Sequence, residues 1–265
     1  MPPYWQRQTA DKPLFPDLLW SRPENRQYAG KLLIIGGNVQ SFASPATAFA
    51  ESERAGIGVT RVILPDALSR TVSKVFEAAE FAPSTPSGSF SQRALAEFLS
   101  ASTWADGVLL EGDLGRNSET AILLEKFAGK YSGSLTISSS SADYFLQTPE
   151  LVLQRPETLL VLDFSQLQRL VTSAHFPQAV TSNMDLVRFV ELLHRFSLQY
   201  HAFIITQHLG NTIAAVQGAI STTTGRSEQT NWAAATAAHA AVWWLQNPSK
   251  PFEAITTSLT HEAIR

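Results

Sequence analysis

Residues 31–37 read KLLIIGG, and this stretch decides the fold class. Its apolar run is continuous rather than alternating, and two glycines end it, which is typical of a strand buried on both faces of a sheet. A helix is predicted next over residues 44–56, with Pro45 in its first turn and Gly56 at its C-terminal end. Residues 59–64 (VTRVIL) form the following predicted strand. This strand–helix–strand order indicates a parallel sheet.

The alternation of strand and helix patterns continues to the end of the chain. Pro65-Asp66 opens a further helix, and Gln217-Gly218 suits the two-residue turn of a hairpin. Further strands are predicted over residues 79–83, 107–112, 134–138, 159–164, 203–207, 212–216 and 219–223, and further helices over residues 92–100, 118–130, 166–171, 185–200, 230–246 and 251–264.

This order predicts an α/β fold, with a doubly wound, mostly parallel sheet flanked by helices and a late β-hairpin. Residues 31–265 are expected to form it as a single domain, because no linker or change of composition divides them. Residues 1–30 carry five prolines and are predicted to be an N-terminal arm that wraps the domain. Within the arm we expect one helical turn at residues 17–20 and no other regular structure before Lys31.

Composition excludes several classes of function. Charged residues make up only 16% of the 265 residues, against about 25% in an average soluble domain, and 14 glycines are few for an enzyme that holds phosphates. The net charge of −3 argues against nucleic-acid binding. The chain has no cysteine, so disulfides and thiolate metal sites are excluded. No signal-peptide pattern or membrane-length apolar run is present, so a cytoplasmic protein without membrane contact is expected.

Ligands of such sheets bind at the carboxyl ends of the strands. Gly36-Gly37 follows one strand, but we favour a structural turn over a ligand loop because the next residues complete no phosphate-binding motif. Residues 111–116 (EGDLGR) join a strand to a helix N-terminus, which is a natural anion site. Glu111 and Asp113 oppose an anion there, so helix capping by Asp113 is the alternative that we favour.

Histidines and serines add little specific chemistry. His208 is the one histidine directly after a predicted strand, whereas His239 lies in an alanine-rich helix where close helix packing explains it more simply. The serine run 138–141 also follows a strand. Serine hydroxyls can donate hydrogen bonds but cannot hold Mg²⁺ as carboxylates would.

Three segments carry a family resemblance. YAGKLLIIGGNVQSFASPATAFAESERAGIGVTRVILPDAL (28–68), GVLLEGDLGRNSETAILLEKF (107–127) and DLVRFVELLHRFSLQYHAFIITQHLGNTIAAV (185–216) resemble, in order and spacing, the ADP/ATP-dependent NAD(P)H-hydrate dehydratases of the ribokinase-like superfamily. The resemblance implies a ribokinase-like fold. It also implies a metabolite-repair lyase that uses ADP or ATP with Mg²⁺.

The functional motifs depart from that family. Its GGTGD motif, which holds the catalytic aspartate, falls on residues 227–231 and places Asn231 at the aspartate position. Its GPGLGR loop is EGDLGR here, the lysine of its KGAGT loop falls on Gln207, its strand-end carboxylates fall on Ser138 and Ser140, and its TPHPGE loop shortens to residues 163–166. An amide cannot accept a proton as a carboxylate does, so dehydration is expected to be weak, altered or absent.

The resemblance implies a set of site residues and leaves several functions open. It places the catalytic position at Asn231, a nucleotide at Gln207, His208, Gly210, Asn211 and Thr230, and substrate at Ser44, Asp113, Gly115 and Arg116. Glu228 is a candidate for a substitute base, and no residue is assigned to a metal. Alternatives are an enzyme in which Glu228, Glu111 or Asp113 is the base, and a pseudoenzyme that only binds a nucleotide or assembles. In the last case Trp243-Trp244 and the alanine-rich helix would form a homo-oligomer contact. A small-molecule kinase is less supported, because it too needs the missing aspartate.

Overall fold

A computed structural model describes residues 2–225 and 231–260 of the chain. Ten strands form one sheet in the order β1-β10-β9-β8-β7-β6-β5-β2-β3-β4. The strands are β1 Trp5–Thr9, β2 Lys31–Gly36, β3 Val59–Pro65, β4 Ala79–Ala82, β5 Gly107–Glu111, β6 Ser134–Ser138, β7 Thr158–Val161, β8 Phe203–His208, β9 Asn211–Val216 and β10 Ala219–Thr224. All neighbours are parallel except β9, which is antiparallel to β8 and β10.

Helices cover both faces of the sheet. They are α1 Asp17–Trp20, α2 Ala43–Arg54, α3 Ser69–Val72, α4 Leu95–Ser102, α5 Ser118–Lys130, α6 Glu150–Leu153, α7 Phe164–Ser173, α8 Leu186–Gln199, α9 Trp232–Gln246 and α10 Pro251–Ser258. One apolar core lies under α4, α5, α7 and α8, and a second lies under α2, α9 and α10. This arrangement confirms the predicted doubly wound α/β fold, and none of these helices is long and apolar enough to span a bilayer.

The buried parallel strands match the sequence prediction closely. The run that opens at Lys31 is β2, which lies between β5 and β3 and is buried on both faces from Leu32 onward. Such a strand needs apolar side chains on both faces, so its continuous apolar run is a clear signal. The predicted helix 251–264 is shorter, since α10 ends at Ser258, and residues 261–265 lie outside the described part of the chain.

The N-terminal arm is more ordered than the sequence suggested. Trp5–Thr9 is a strand, β1, which pairs in parallel with β10 and extends the sheet at its edge. The Trp5 indole is buried and donates a hydrogen bond from Nε1 to Thr222 Oγ1 over 3.1 Å. The predicted start of regular structure at Lys31 is therefore wrong, although the predicted helical turn Asp17–Trp20 is confirmed.

Two tight turns join the last three strands. The predicted hairpin between β9 and β10 is confirmed, and Gln217 and Gly218 both have positive φ, as such a turn requires. The connection from β8 to β9 is equally short, because His208 pairs with Asn211 across Leu209-Gly210. The segment that resembles a nucleotide-binding loop is thus a two-residue hairpin turn.

Helix α9 is buried by the chain's own elements. Its small side chains let it pack closely against α2 and α10, and Trp243 and Trp244 are both buried within the fold. The His239 ring is also buried, and its Nε2 lies 3.0 Å from Glu51 Oε2 on α2. The packing explanation for His239 is confirmed, whereas a subunit contact made by Trp243-Trp244 is wrong because neither side chain reaches the surface.

Candidate functional site

The carboxyl ends of β2, β5 and β6 meet around a buried carboxyl group. Glu111 is the last residue of β5, and none of its surface is exposed. Its Oε1 accepts hydrogen bonds from Ser44 Oγ of α2, over 2.9 Å, and from Ser139 Oγ after β6. Ser141 Oγ donates to the Leu110 carbonyl over 2.8 Å, which holds the serine turn against β5. The serine run therefore lies against the Glu111 carboxyl group and its strand.

Burial determines the protonation state of this acid. Removal from water raises the pKa of Glu111, and the hydrogen bonds from Ser139, Ser44, Ser138 and the Gly112 amide oppose that rise only in part. The second carboxyl oxygen, Oε2, is buried and has no hydrogen bond of normal geometry among the described residues. Burial thus favours the protonated form of Glu111 more than that of an exposed carboxyl group.

Replacing Glu111 by glutamine tests this protonation state. A carboxyl pKa that folding raises makes the native state lose stability as pH rises from the unfolded value of about 4.3 toward the native value. Glutamine does not titrate, so the melting temperature of the wild type should fall relative to that of E111Q as pH rises. Melting curves from pH 4.5 to 8.5 measure this. E97Q, at an exposed carboxyl on α4, is the control, and parallel curves for E111Q would contradict a buried neutral acid.

Two hydrogen bonds fix the conformation of the loop after β5. Asp113 Oδ1 accepts a hydrogen bond from the Gly115 amide over 2.8 Å, and Asn38 Nδ2 donates to the Asp113 carbonyl over 2.9 Å. Asn117, rather than Asp113, caps α5 by accepting from the Glu119 amide, so the predicted capping role of Asp113 is wrong. Asp113 forms a turn four residues before the cap. This turn leaves the Asp113 carboxyl exposed.

A cavity of about 360 Å³ opens beside this loop. Two arginines, Arg116 and Arg169, line it together with two aspartates, Asp113 and Asp143. The Tyr144 hydroxyl is buried and has no hydrogen bond of normal geometry among residues 2–225 and 231–260. Burial raises the pKa of that phenol, so it remains protonated. Asp143 is already engaged, because it accepts from Arg169 over 2.8 Å. Arg116 and Tyr144 can therefore donate hydrogen bonds to a carboxylate or phosphate in this cavity.

Sequence reasoning found only part of this cavity wall. Asp113 and Arg116 were among the candidate residues, and Ser140 belongs to the serine run, whereas Tyr144, Asp143 and Arg169 were missed. Asp143 and Tyr144 lie on a 3₁₀ segment and Arg169 lies on α7. Polar side chains at such positions have the pattern of an ordinary solvent-exposed helix face. No local signal in the sequence separates them from surface residues.

The shortened loop after β7 forms a helix cap. Asp163 accepts hydrogen bonds from the Gln166 amide and the Ser165 hydroxyl, and Gln166 Oε1 accepts from the Asp163 amide in return. Gln166 Nε2 also donates to the Ser139 carbonyl over 2.8 Å. The capping pair therefore supports the serine turn around Glu111.

The residues assigned to a nucleotide have partners within the fold. His208 Nε2 lies 2.8 Å from the Met184 carbonyl, and the His208 ring packs 4.4 Å from the Phe189 ring. Asn211 Nδ2 donates to the Leu209 carbonyl over 2.9 Å. Gln207 makes one long contact with Thr212, and Gly210 supplies a positive φ to the hairpin turn. The structure brings Gln207, His208, Gly210 and Asn211 together at the β8–β9 turn.

Asn231 lies at the N-terminal end of α9. It is the N-cap residue, and its side chain makes no capping hydrogen bond within the described part of the chain. Glu228 and Thr230, the other candidates from the same motif, lie outside the described residues. Ser44, which was assigned to substrate, instead hydrogen-bonds Glu111.

Comparison with known proteins places the fold in a class. No protein-family model matches the chain, and no curated protein sequence matches it. Solved structures of the ribokinase-like superfamily do share its architecture. The expected ribokinase-like architecture is therefore confirmed.

Particular neighbours cover almost the entire chain. A ribokinase-like superfamily protein from Enterococcus faecalis matches 99% of this chain and 87% of its own, at 17% identity and a TM-score of 0.74. The ADP/ATP-dependent NAD(P)H-hydrate dehydratase from Bacillus subtilis, co-crystallised with ATP/Mg²⁺, matches 95% of this chain and 87% of its own, at 10% identity and a TM-score of 0.67. At sequence identities this low, the structural match shows a common fold and nothing about activity.

Proposed function

We propose that this chain is a divergent NAD(P)H-hydrate dehydratase-like protein whose dehydratase activity is weak or lost. The observation that carries the proposal is Asn231 at the start of α9, where the family resemblance places a catalytic aspartate. A general base contributes about 10²–10⁴-fold to such a reaction, and a neutral amide supplies none of it.

The neighbouring groups support the same conclusion. Glu111 is completely buried, so its carboxyl group is not accessible to a substrate. The carboxyl group of Asp113 is exposed, and it accepts a hydrogen bond from the Gly115 amide within the loop after β5. Of the three carboxylates that could have replaced it, Glu228 alone lies outside the described residues.

Mg²⁺ fits the described residues poorly. This cation prefers carboxylate oxygens, whereas β6 ends in serines and the Asp163 carboxylate caps α7. Among residues 2–225 and 231–260, no three Asp, Glu, His or Cys side chains lie together in a way that could hold a metal. We therefore derive no catalytic step through Mg²⁺.

A coupled assay for ADP- or ATP-dependent conversion of hydrated NADH to NADH tests the proposal. We expect turnover at least about 10²-fold below an ordinary enzymatic rate of about 10 s⁻¹. N231D is the matched variant, and it should raise the rate only slightly, because the phosphate-binding glycines and strand-end carboxylates are also missing. A wild-type rate near the ordinary value would overturn the proposal.

Binding without turnover is the second candidate function, and the cavity beside Arg116 favours it. Thermal-shift measurements with ADP, ATP, AMP, NADH and NADPH, each with and without Mg²⁺, test it. A ligand present at 100 times its Kd stabilises the fold by about 2.7 kcal/mol and raises the melting temperature. R116A should remove such a shift. A flat response to all five nucleotides would exclude nucleotide binding as the function.

A further inference from the structure

A cavity of about 410 Å³ lies at the edge of the sheet opposite β1, between α4 and the strands β3 and β4. β4 is the last strand of the sheet, and β3 and β2 separate it from the Glu111 strand. The described residues that line the cavity include none that the family resemblance assigns to substrate, nucleotide or catalysis. The volume is within the usual range of about 300–1,000 Å³ for small-molecule sites.

Small side chains on both sides leave this space open. Helix α4 contributes Ala96, Ser100 and Ala101 to the lining, and β4 contributes Ala82. Ala96 and Ser100 lie one turn apart on the same side of the helix, and neither side chain is long enough to fill the gap to the sheet. Together with Ile63 of β3, the alanines form an apolar wall against which a hydrocarbon group can pack.

One negative charge in the lining is not neutralised by a neighbour. Glu80 is paired, because it accepts two hydrogen bonds from Arg61, from Nε to Oε1 and from Nη2 to Oε2, the second over 2.6 Å. The Arg61 guanidinium also lies 4.8 Å from the centre of the Trp104 ring, which restricts its position. Glu97 of α4 lines the same cavity and makes no hydrogen bond or ion pair within the described part of the chain. The net charge of the lining is therefore negative.

Ser100 places a second acceptor beside Glu97. The two residues are three positions apart on α4, so their side chains lie on the same side of the helix. A protonated primary amine carries three N–H donors and can donate to the Glu97 carboxylate and to the Ser100 hydroxyl oxygen together. An anion would instead be repelled by Glu97. The lining therefore favours an organic cation.

We propose that this cavity binds a small primary amine, with its ammonium group at Glu97 and Ser100 and its hydrocarbon part against Ile63, Ala82 and Ala96. The inference goes beyond the proposed function, because such a molecule binds away from Asn231 whether or not dehydration occurs there. It also requires a ligand charge opposite to that of a nucleotide.

NMR titration of the full, ¹⁵N-labelled chain with phenethylamine, phenethyl alcohol and phenylacetate tests the proposal. The three probes share an aromatic hydrocarbon and differ in charge. Phenethylamine should bind at least about threefold more tightly than the alcohol, because only its ammonium group makes a charge-assisted hydrogen bond with Glu97. Phenylacetate should bind more weakly than both. The backbone amide signals of Ala96, Glu97 and Ser100 should shift as phenethylamine is added.

Three variants locate the binding. E97Q should weaken phenethylamine binding at least about threefold and remove its advantage over the alcohol. E150Q removes the same charge from an exposed position on α6 and should leave binding unchanged. Ala96 is exposed, so A96F should fold and fill the cavity, which abolishes binding of phenethylamine and of the alcohol. Melting curves of all three variants check their folding.

Three results would overturn the inference. The first is that phenethylamine shifts no amide signal of α4. The second is that phenethylamine binds E97Q, or folded A96F, as tightly as it binds the wild type. The third is that E150Q weakens binding as much as E97Q, which would indicate a nonspecific charge effect.

Discussion

Replacing Gly36 by alanine is expected to destabilise the protein by more than about 3 kcal/mol, or to prevent folding. Gly36 is the last residue of β2 and pairs with Glu111 of β5. A methyl group at Gly36 would lie 1.9 Å from the Glu111 carbonyl oxygen and 2.9 Å from Pro45 Cγ. Because the nearest atom belongs to the backbone of the central sheet, no side-chain rotation can relieve the clash. Urea unfolding measures the loss of stability.

Gly129 provides the matched control for Gly36. It lies in α5, and an added methyl group would meet no atom within 4 Å. G129A should therefore stabilise the protein by up to about 1 kcal/mol, the usual gain for alanine over glycine in a helix. If G36A unfolds at the wild-type urea midpoint, Gly36 does not lie against the Glu111 carbonyl. The ligand-loop interpretation of Gly36-Gly37 would then be the better one.

Replacing Trp5 by alanine should cost about 3–5 kcal/mol, the usual range for a buried aromatic side chain. Trp5 is 3% exposed, so its removal leaves a cavity between β1 and the core. It also removes the hydrogen bond that the indole Nε1 donates to Thr222 Oγ1. Trp20, in the same N-terminal arm, is 88% exposed. W20A should therefore change stability by no more than about 0.5 kcal/mol.

Urea midpoints of W5A and W20A compare the two halves of the arm directly. Equal midpoints would mean that β1 contributes nothing to the stability of the fold, as expected of a segment that only wraps the domain. A large loss in W5A alone identifies residues 5–9 as part of the sheet.

The sequence predicted the buried strands well because both of their faces are apolar. The prediction failed at β1, whose residues WQRQT mix one buried aromatic with polar side chains. Gln8 is buried there because it hydrogen-bonds Thr223 and Thr256, residues at the far end of the chain. A polar residue whose partners are so distant gives no local pattern, so the strand could not be distinguished from a proline-rich arm.

The contacts of the candidate site could not be predicted from the sequence either. Glu111 and the serine run were both visible as strand-end residues, but their mutual hydrogen bonds depend on β5 and β6 being neighbours. The effect of burial on the Glu111 pKa follows only from the complete fold. His208 looked like a site residue by position, yet its ring is packed against Phe189.

The pairing of β1 with β10 determines when the protein can finish folding during synthesis. Gln8 and Thr223 are 215 residues apart, so the first strand to leave the ribosome must wait for nearly the last one before it finds its partner. Contacts of such long range form slowly. A cavity lined by Arg7 and Lys12 at this edge of the sheet therefore exists only in an almost complete chain.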